Sequence, residues 1–354
     1  MSNLGNALAN DPFRRKRLVA AAGLCAVAAM VAISLWPTQK LTNAKQGNAM
    51  TELSKNMKTV CIGRYLIDIP KDADFSLGDS ESDSVKIERI PAFTSESAYR
   101  ERLRDHESQL RAMSHVTEGT RLRSVTQVNA GKHTVFVSRG DESGRRLSNV
   151  ESFAFDNKVA WRVSYVTGEK YLPLTIDQTA KIVDALRARI SEDIPAGTGA
   201  CIRDGVLIRT PVEVEEFRGG ARLTARSWSM EITSETSGAR EPGTQLFDRV
   251  DRAIDMAGGN SGIKKLRRAK VDADGRVGQE YIAIYPDSHA NILDAKLELY
   301  GTGKPQVPTI KLQMEVGSPR KADPSDPRVF MKDEEALALW DAIVKSIRSR
   351  PGAF

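Results

Sequence analysis

Apolar residues run without a charge from Leu18 to Trp36, and beyond that stretch the pattern breaks into short segments of period 2 or 3.6. The first run is long enough to cross a bilayer, which takes about 20 apolar residues as a helix. Arg14, Arg15, Lys16 and Arg17 precede it, and a basic cluster stays on the cytoplasmic side. The run exceeds the roughly 7–15-residue core of a cleaved signal and ends in Leu35-Trp36-Pro37, a poor cleavage site. Leu24 before Cys25 is a poor match to a lipoprotein signal, and the apolar run continues past the cysteine. The pattern therefore predicts a cytoplasmic segment 1–17, a transmembrane signal anchor 18–36 in the inner membrane, a linker 37–57 and a body on the periplasmic side.

Within the body the pattern occurs twice, about 140 residues apart. Cys61-Ile62-Gly63-Arg64-Tyr65-Leu66-Ile67-Asp68-Ile69-Pro70 opens the first copy and Cys201-Ile202-Arg203-Asp204-Gly205-Val206-Leu207-Ile208-Arg209-Thr210-Pro211 the second. Each is a Cys-Ile pair leading an apolar stretch that stops at proline, as a strand ending in a turn does. A helical stripe follows in each: Tyr99, Leu103, His106, Leu110 and Met113, then Phe247, Val250, Ile254 and Ala257. Related basic stretches come next, Arg121-Leu122-Arg123 and Lys265-Leu266-Arg267. Alternating segments succeed them. Val159, Trp161, Val163 and Tyr165 share one face; so do Ile310, Leu312, Met314 and Val316; so do Ala295, Leu297 and Leu299. Such alternation predicts antiparallel strands with one face covered and one wet.

Each copy closes on a helix, with stripes Ile176, Ala180, Val183, Leu186, Ile190 and Leu337, Trp340, Val344, Ile347. Asp177 and Glu335 stand near the helix starts, where negative charge is favourable. The predicted class is α+β, with two related lobes, each an antiparallel sheet with helices packed on one face. The lobes span 58–194 and 201–350, separated by a Pro/Gly-rich linker at 195–200.

Charge changes the picture little. Residues 1–50 carry six basic and one acidic side chain, so the chain's net +6 leaves only +1 for the body. That excludes a global electrostatic case for nucleic acid. The local run Lys264, Lys265, Arg267, Arg268, Lys270 fits a solvated face or one side of a protein interface better than an anionic surface. Cys61 and Cys201 are the two cysteines of the body; an oxidising compartment permits their pairing, and their spacing does not require it.

Candidate chemistry is sparse. His106, His115, His133 and His289 form no metal-binding spacing, and no cysteine knuckle is present. His106 sits on a helix stripe and reads as a core or boundary residue. Gly258-Gly259-Asn260-Ser261-Gly262 lacks the spacing of a nucleophile elbow. Gly275-Arg276-Val277-Gly278-Gln279-Glu280 follows Asp274 and reads as a hairpin turn, with Glu280 serving neighbouring donors. No catalytic, cofactor-binding or metal residue is assigned, and no cofactor is expected.

The openings at 61–70 and 201–211 and the Gly-x-x-Gly-Gln-Glu stretch at 275–280 resemble the two-domain immunity proteins of bacterial type VI secretion lipase effectors, over roughly residues 58–350. The resemblance implies a non-enzymatic periplasmic protein whose partner is a cognate type VI lipase or phospholipase effector, which it binds and inhibits through two related lobes. It also implies that Cys61, Gly63, Pro70, Gly278 and Glu280 are scaffold positions. The second opening departs from the first, with Arg203-Asp204-Gly205 in place of Gly63-Arg64. Two other readings remain: a cell-envelope hydrolase with a dispersed acidic site, and an envelope adaptor.

Overall fold

The computed structural model describes residues 52–354, apart from 116–118, 130–132, 141–146, 191, 237–243, 257, 260–261, 287–289, 320–324 and 327. The basic segment 1–17, the span expected at 18–36 and His289 lie outside the described residues. Among the described residues no helix is long and apolar enough to cross a membrane.

Residues 49–354 form one compact unit. After a four-residue helix at Glu52–Lys55 comes a hairpin, β1 (Met57–Ile62) and β2 (Tyr65–Pro70), then β3 (Asp74–Ser82), β4 (Val85–Ile90) and α1 (Glu96–Ala112). A meander follows: β5 (Leu122–Val128), β6 (His133–Arg139), β7 (Leu147–Asp156) and β8 (Val159–Gly168), closed by α2 (Leu172–Ala185) and β9 (Leu186–Ala188). The second half repeats this order. It has a hairpin, β10 (Ala200–Ile202) and β11 (Gly205–Leu207), then β12 (Glu215–Leu223), β13 (Trp228–Glu235) and α3 (Leu246–Met256). The meander β14 (Lys264–Ala273), β15 (Arg276–Pro286), β16 (Ala290–Leu299) and β17 (Thr309–Pro319) leads to α4 (Asp333–Ser346) and β18 (Arg348–Ser349). Asp274 (φ 53°) and Gly275 (φ 70°) turn β14 into β15. Both central residues are left-handed, the turn that matches strand twist.

The twelve long strands make one antiparallel sheet instead of two. Its order is β14-β15-β16-β17-β13-β12-β3-β4-β8-β7-β6-β5, two six-stranded halves of identical connectivity joined at their first strands. At the seam Glu216 faces Glu81 and Gly220 faces Ser76, with a bulge between Phe217 and Gly219.

The helices lie on both faces of the sheet, where the alternating pattern led to the expectation of one. In the first half α1 packs Tyr99, Leu103 and Leu110 on Phe136, Phe153, Phe155 and Ala160. On the opposite face Ile182 and Val183 of α2 join Ala154, Trp161 and Val163. The cause is local: β7 and β8 carry apolar side chains on both sides, so each side needs a cover. In the second half Leu246, Val250 and Ile254 of α3 meet Tyr281 and Ala283, while Leu339, Trp340 and Ile343 of α4 join the cluster containing Ile282 and Ala295. The α2 stripe is also shorter than expected. The helix stops at Ala185, Leu186 opens β9, and Ile190 is 71% exposed.

The small hairpins are exchanged between the halves. The first, β1–β2, pairs with β18 at the end of the second half, Leu66 facing Arg348. The second, β10–β11, pairs with β9 at the end of the first, Leu186 facing Leu207. They touch each other where Gly63 N donates to Cys201 O at 3.0 Å and Cys201 N to Gly63 O at 2.7 Å, and Cys61 and Cys201 are disulfide-bonded. Gly63 has φ 54°, and a Cβ there would lie 2.5 Å from the Phe217 ring; no other residue fits.

Beside this contact Arg64 and Glu215, each 2% exposed, form a bidentate pair at 2.9 and 2.8 Å. Arg64 also donates to Ala353 O at 2.6 Å. Arg350, 1% exposed, donates to the carbonyls of Pro195, Gly197 and Gly199 in the link between the halves. Burial holds the Arg350 guanidinium below its ordinary pKa, reinforced by Arg64 and Arg189. One apolar cluster runs from Val60 through Trp161 and Phe217 to Ile347, so the halves share a core.

The disulfide closes a loop of 140 residues, and its loss should lower stability by about 2–5 kcal/mol. Urea unfolding of Cys61→Ser/Cys201→Ser beside the wild type, with and without reductant, measures this; the double variant should be insensitive to reductant. Arg64→Met leaves a buried carboxylate and should lose about 3–5 kcal/mol, whereas Arg64→Met/Glu215→Leu should recover much of it. Equal losses in both variants would show that the pair is not the source.

Candidate partner-binding surface

On the face that carries α1 and α3, the central strands lie between the two helices with polar side chains outward. Lys86, Arg218, Glu231 and Glu315 are exposed there, while the opposite sides of the same strands bury Ile87, Phe217, Met230 and Met314. The strict alternation of β13 and β17 produces this division. The outward charges form a ladder. Lys86 bonds Asp79 at 3.3 Å and Glu88 at 2.6 Å, Arg162 bonds Glu88 at 2.5 Å, and Lys311 bonds Glu235 at 2.6 Å. Glu81, Glu216 and Glu235 stand side by side across three strands. Arg218 reaches Glu216, and that hydrogen bond, aided by the nearby carboxylates, raises its pKa. Exposed pairs of this kind each contribute about 0–1 kcal/mol. Recognition, rather than stability, is what such a face can supply.

The residues singled out in the sequence are dispersed. His106 Nε2 lies 3.1 Å from Glu151, and its ring packs edge-on against Phe136 and Phe153, a satisfied boundary histidine. His133 Nε2 bonds Asp184 at 2.8 Å. His115 lies in a two-residue strand, paired with Gly119. Among the described residues no group of three or more His, Cys, Asp or Glu converges as metal ligands. The basic run on edge strand β14 is largely spent internally: Arg268 holds Asp251 at 2.7 Å and Lys264 holds Asp333 at 3.1 Å. Charged residues on an edge also discourage strand addition.

Glu280 points into the core. Trp340 Nε1 donates to it at 2.9 Å, and Arg267 Nε lies 2.8 Å away without hydrogen-bond alignment, so this contact is Coulombic. Burial raises the Glu280 pKa; Arg267 and Trp340 offset this in part, and Asp341 adds to it. Gly278 admits no side chain, since a Cβ would lie 2.1 Å from Glu298 O. Cys61 is disulfide-bonded, and Pro70 ends the buried strand β2.

Sequence profiles of two domains match the chain: the Tle cognate immunity protein 4 N-terminal domain over residues 58–171, and the C-terminal domain of the same protein over 193–352. The chain belongs to the Tle cognate immunity protein 4 family. None of the curated protein sequences matches it. Among solved structures, a crystal structure of a Tle4–Tli4 complex is 23% identical with TM-score 0.73, covering 85% of this chain and 99% of that one. The apo structure of immunity protein TplEi of T6SS from Pseudomonas aeruginosa is 23% identical with TM-score 0.71, covering 84% and 98%. TplEi complexed with an "L" peptide gives 23% and 0.68, covering 84% and 99%. At this identity the likeness is one of fold. In this family member the motif positions Cys61, Gly63, Pro70, Gly278 and Glu280 serve the frame, and the exposed face between α1 and α3 carries none of them.

Sequence reasoning missed the Arg64–Glu215 pair and the Arg350 contacts. Neither has a local pattern, because the partners lie 151 to 155 residues apart.

A carboxyl whose pKa is raised by folding contributes stability below its unfolded pKa, and loses that contribution as pH rises through the folded value. For Glu280 the window therefore opens near the ordinary glutamate pKa and extends upward. Urea titrations at pH 5 and pH 8 should show wild type losing stability relative to Glu280→Gln as pH rises, by about 1.4 kcal/mol per unit of pKa shift. A pH-independent difference would show that Glu280 is not held above its ordinary value.

Proposed function

We propose that this protein is a periplasmic immunity protein that binds and inhibits a cognate type VI secretion phospholipase effector, protecting the producing cell and its kin. The observation that carries the reading is the match to both immunity domains, 58–171 and 193–352, on one continuous frame. The related structures are a Tle4–Tli4 complex and an immunity protein of a type VI system. Glu88 and Glu151 are engaged by Arg162, and Glu280 by Trp340 and Arg267. Inhibition by occupation requires no catalytic group. It requires a rigid surface, because a preorganised binder loses less entropy on association. The two related α+β halves, in the reading 58–194 and 201–350, act as one binding body around the effector. The basic cluster Arg14–Arg17 and the apolar run 18–36 support an inner-membrane anchor with the body in the periplasm.

The purified protein, titrated into the type VI lipase encoded with it, should abolish phospholipid hydrolysis at one equivalent and release no fatty acid by itself. Binding without inhibition, or hydrolysis by the protein alone, overturns the reading. Protease added to spheroplasts should digest the body; protection of residues 52–354 would refute the orientation.

A further inference from the structure

Between α1 and α3 the sheet has no cover of its own. α1 rests on Phe136, Phe153 and Ala160 of β6, β7 and β8, and α3 on Tyr281 and Ala283 of β15. Six strands, β4, β3, β12, β13, β17 and β16, lie between those supports. At about 4.8 Å per strand, and with helices about 10 Å across, roughly 24 Å of floor stays clear. Over the eight residues of β13 that is on the order of 600–700 Å², close to the roughly 800 Å² that each partner of a stable complex contributes. A trough of this size suits a protein element about two helices wide, not a small molecule.

The charge of the floor selects that element. Glu81, Glu216 and Glu235 stand directly opposite one another on β3, β12 and β13, an arrangement that destabilises a sheet. Arg218 turns to Glu216 and Lys311 to Glu235. Lys86 faces Glu81 across the ladder but turns to Asp79 and Glu88, so among the described residues Glu81 has no ion pair. Glu231 is exposed on β13 and has no hydrogen-bond or ion-pair partner among the described residues. Glu315, exposed on β17, takes the Gln313 amide at 3.1 Å and no cation among them. Arg222 and Asp74 face each other and balance.

The floor therefore carries an excess of negative charge in a body whose residues 51–354 have a net charge of +1. Among the described residues no group of carboxylates is arranged to hold a metal ion. An anionic membrane or a nucleic acid would be repelled. The complementary surface is one that carries lysine and arginine.

We propose that this trough receives a protein element of the effector that presents lysine and arginine side chains to Glu81, Glu231 and Glu315. The identity of the partner follows from the immunity reading; its basic character follows from the floor. Like charges side by side strain the free sheet, and a basic partner relieves them, so the row favours the complex over the free protein. Opposite charge also speeds encounter, and salt suppresses that gain.

The test uses the intact protein and the type VI lipase encoded with it. Carbodiimide, which joins carboxylates to lysines, should link Glu81, Glu231 or Glu315 to lysines of the bound lipase, read by peptide mapping. Glu231→Lys/Glu315→Lys should slow association about tenfold at low salt and flatten its dependence on ionic strength. Asp177→Lys, exposed on α2 across the sheet, should change neither. Glu81→Gln should slow association severalfold while its melting temperature stays level or rises, which a residue that supports the fold would not do. Replacing the linked lipase lysines by glutamate should restore fast association to Glu231→Lys/Glu315→Lys. Wild-type melting temperatures establish that the reversal variants are folded. Links confined to other faces, or reversals that leave rate and salt dependence unchanged while the wild type inhibits the lipase, overturn the trough and leave the immunity reading standing. Links from the trough to a second copy of this chain, with none to the lipase, overturn it as well. A wild type that binds no lipase overturns the immunity reading and this partner with it.

Discussion

Everything in this fold depends on the junction where the two small hairpins meet. Cys61 and Cys201 are covalently joined there, Gly63 and Cys201 exchange backbone hydrogen bonds, and Arg64 reaches both Glu215 at the start of β12 and the carbonyl of Ala353 near the C-terminus. Four distant pieces of chain thereby converge within a few residues. A buried ion pair is an inefficient source of stability but a strict one, because removing either partner strands a charge. Both partners are therefore needed where the halves meet, while the apolar cluster supplies most of the driving force.

The exchanged hairpins turn a duplication into a single body. Had each opening hairpin closed its own half, the halves would be two domains with a small interface, and relative motion would be the expectation. Instead the first hairpin is sealed by the end of the second half and the second by the end of the first. Arg350 then fastens the connecting link. The sheet runs unbroken through β3 and β12. A protein that acts by occupying a partner benefits from this construction, since its surface is already in place when the partner arrives.

The division of labour between the faces follows from the same frame. The face under α2, α4 and the hairpins is sealed, and it holds the motif residues that mark the family. The face with α1 and α3 leaves its central strands wet and charged, and ion pairs there cost or contribute little. Sequence on that face is free to follow a partner without endangering the fold. Glu280 illustrates the reverse case: a carboxylate in a distinctive motif that proves to be packed against Trp340 and Arg267.

Periodicity alone determined that the body is α+β, that its strands are antiparallel, and that the order of elements occurs twice, because side-chain alternation reports which faces are buried. The resemblance of three short motifs was enough to point to the family. Tertiary structure alone decided that the sheet is one, that helices cover both its faces, and that the hairpins cross between halves. It also decided that Cys61 finds Cys201, that Arg64 finds Glu215, and that Glu81, Glu216 and Glu235 stand side by side between α1 and α3. The physical reason is range. Hydrophobic patterning is local and survives in a few consecutive residues, whereas an ion pair, a disulfide or the choice of which half a hairpin seals depends on groups more than a hundred residues apart that meet only when the chain is folded.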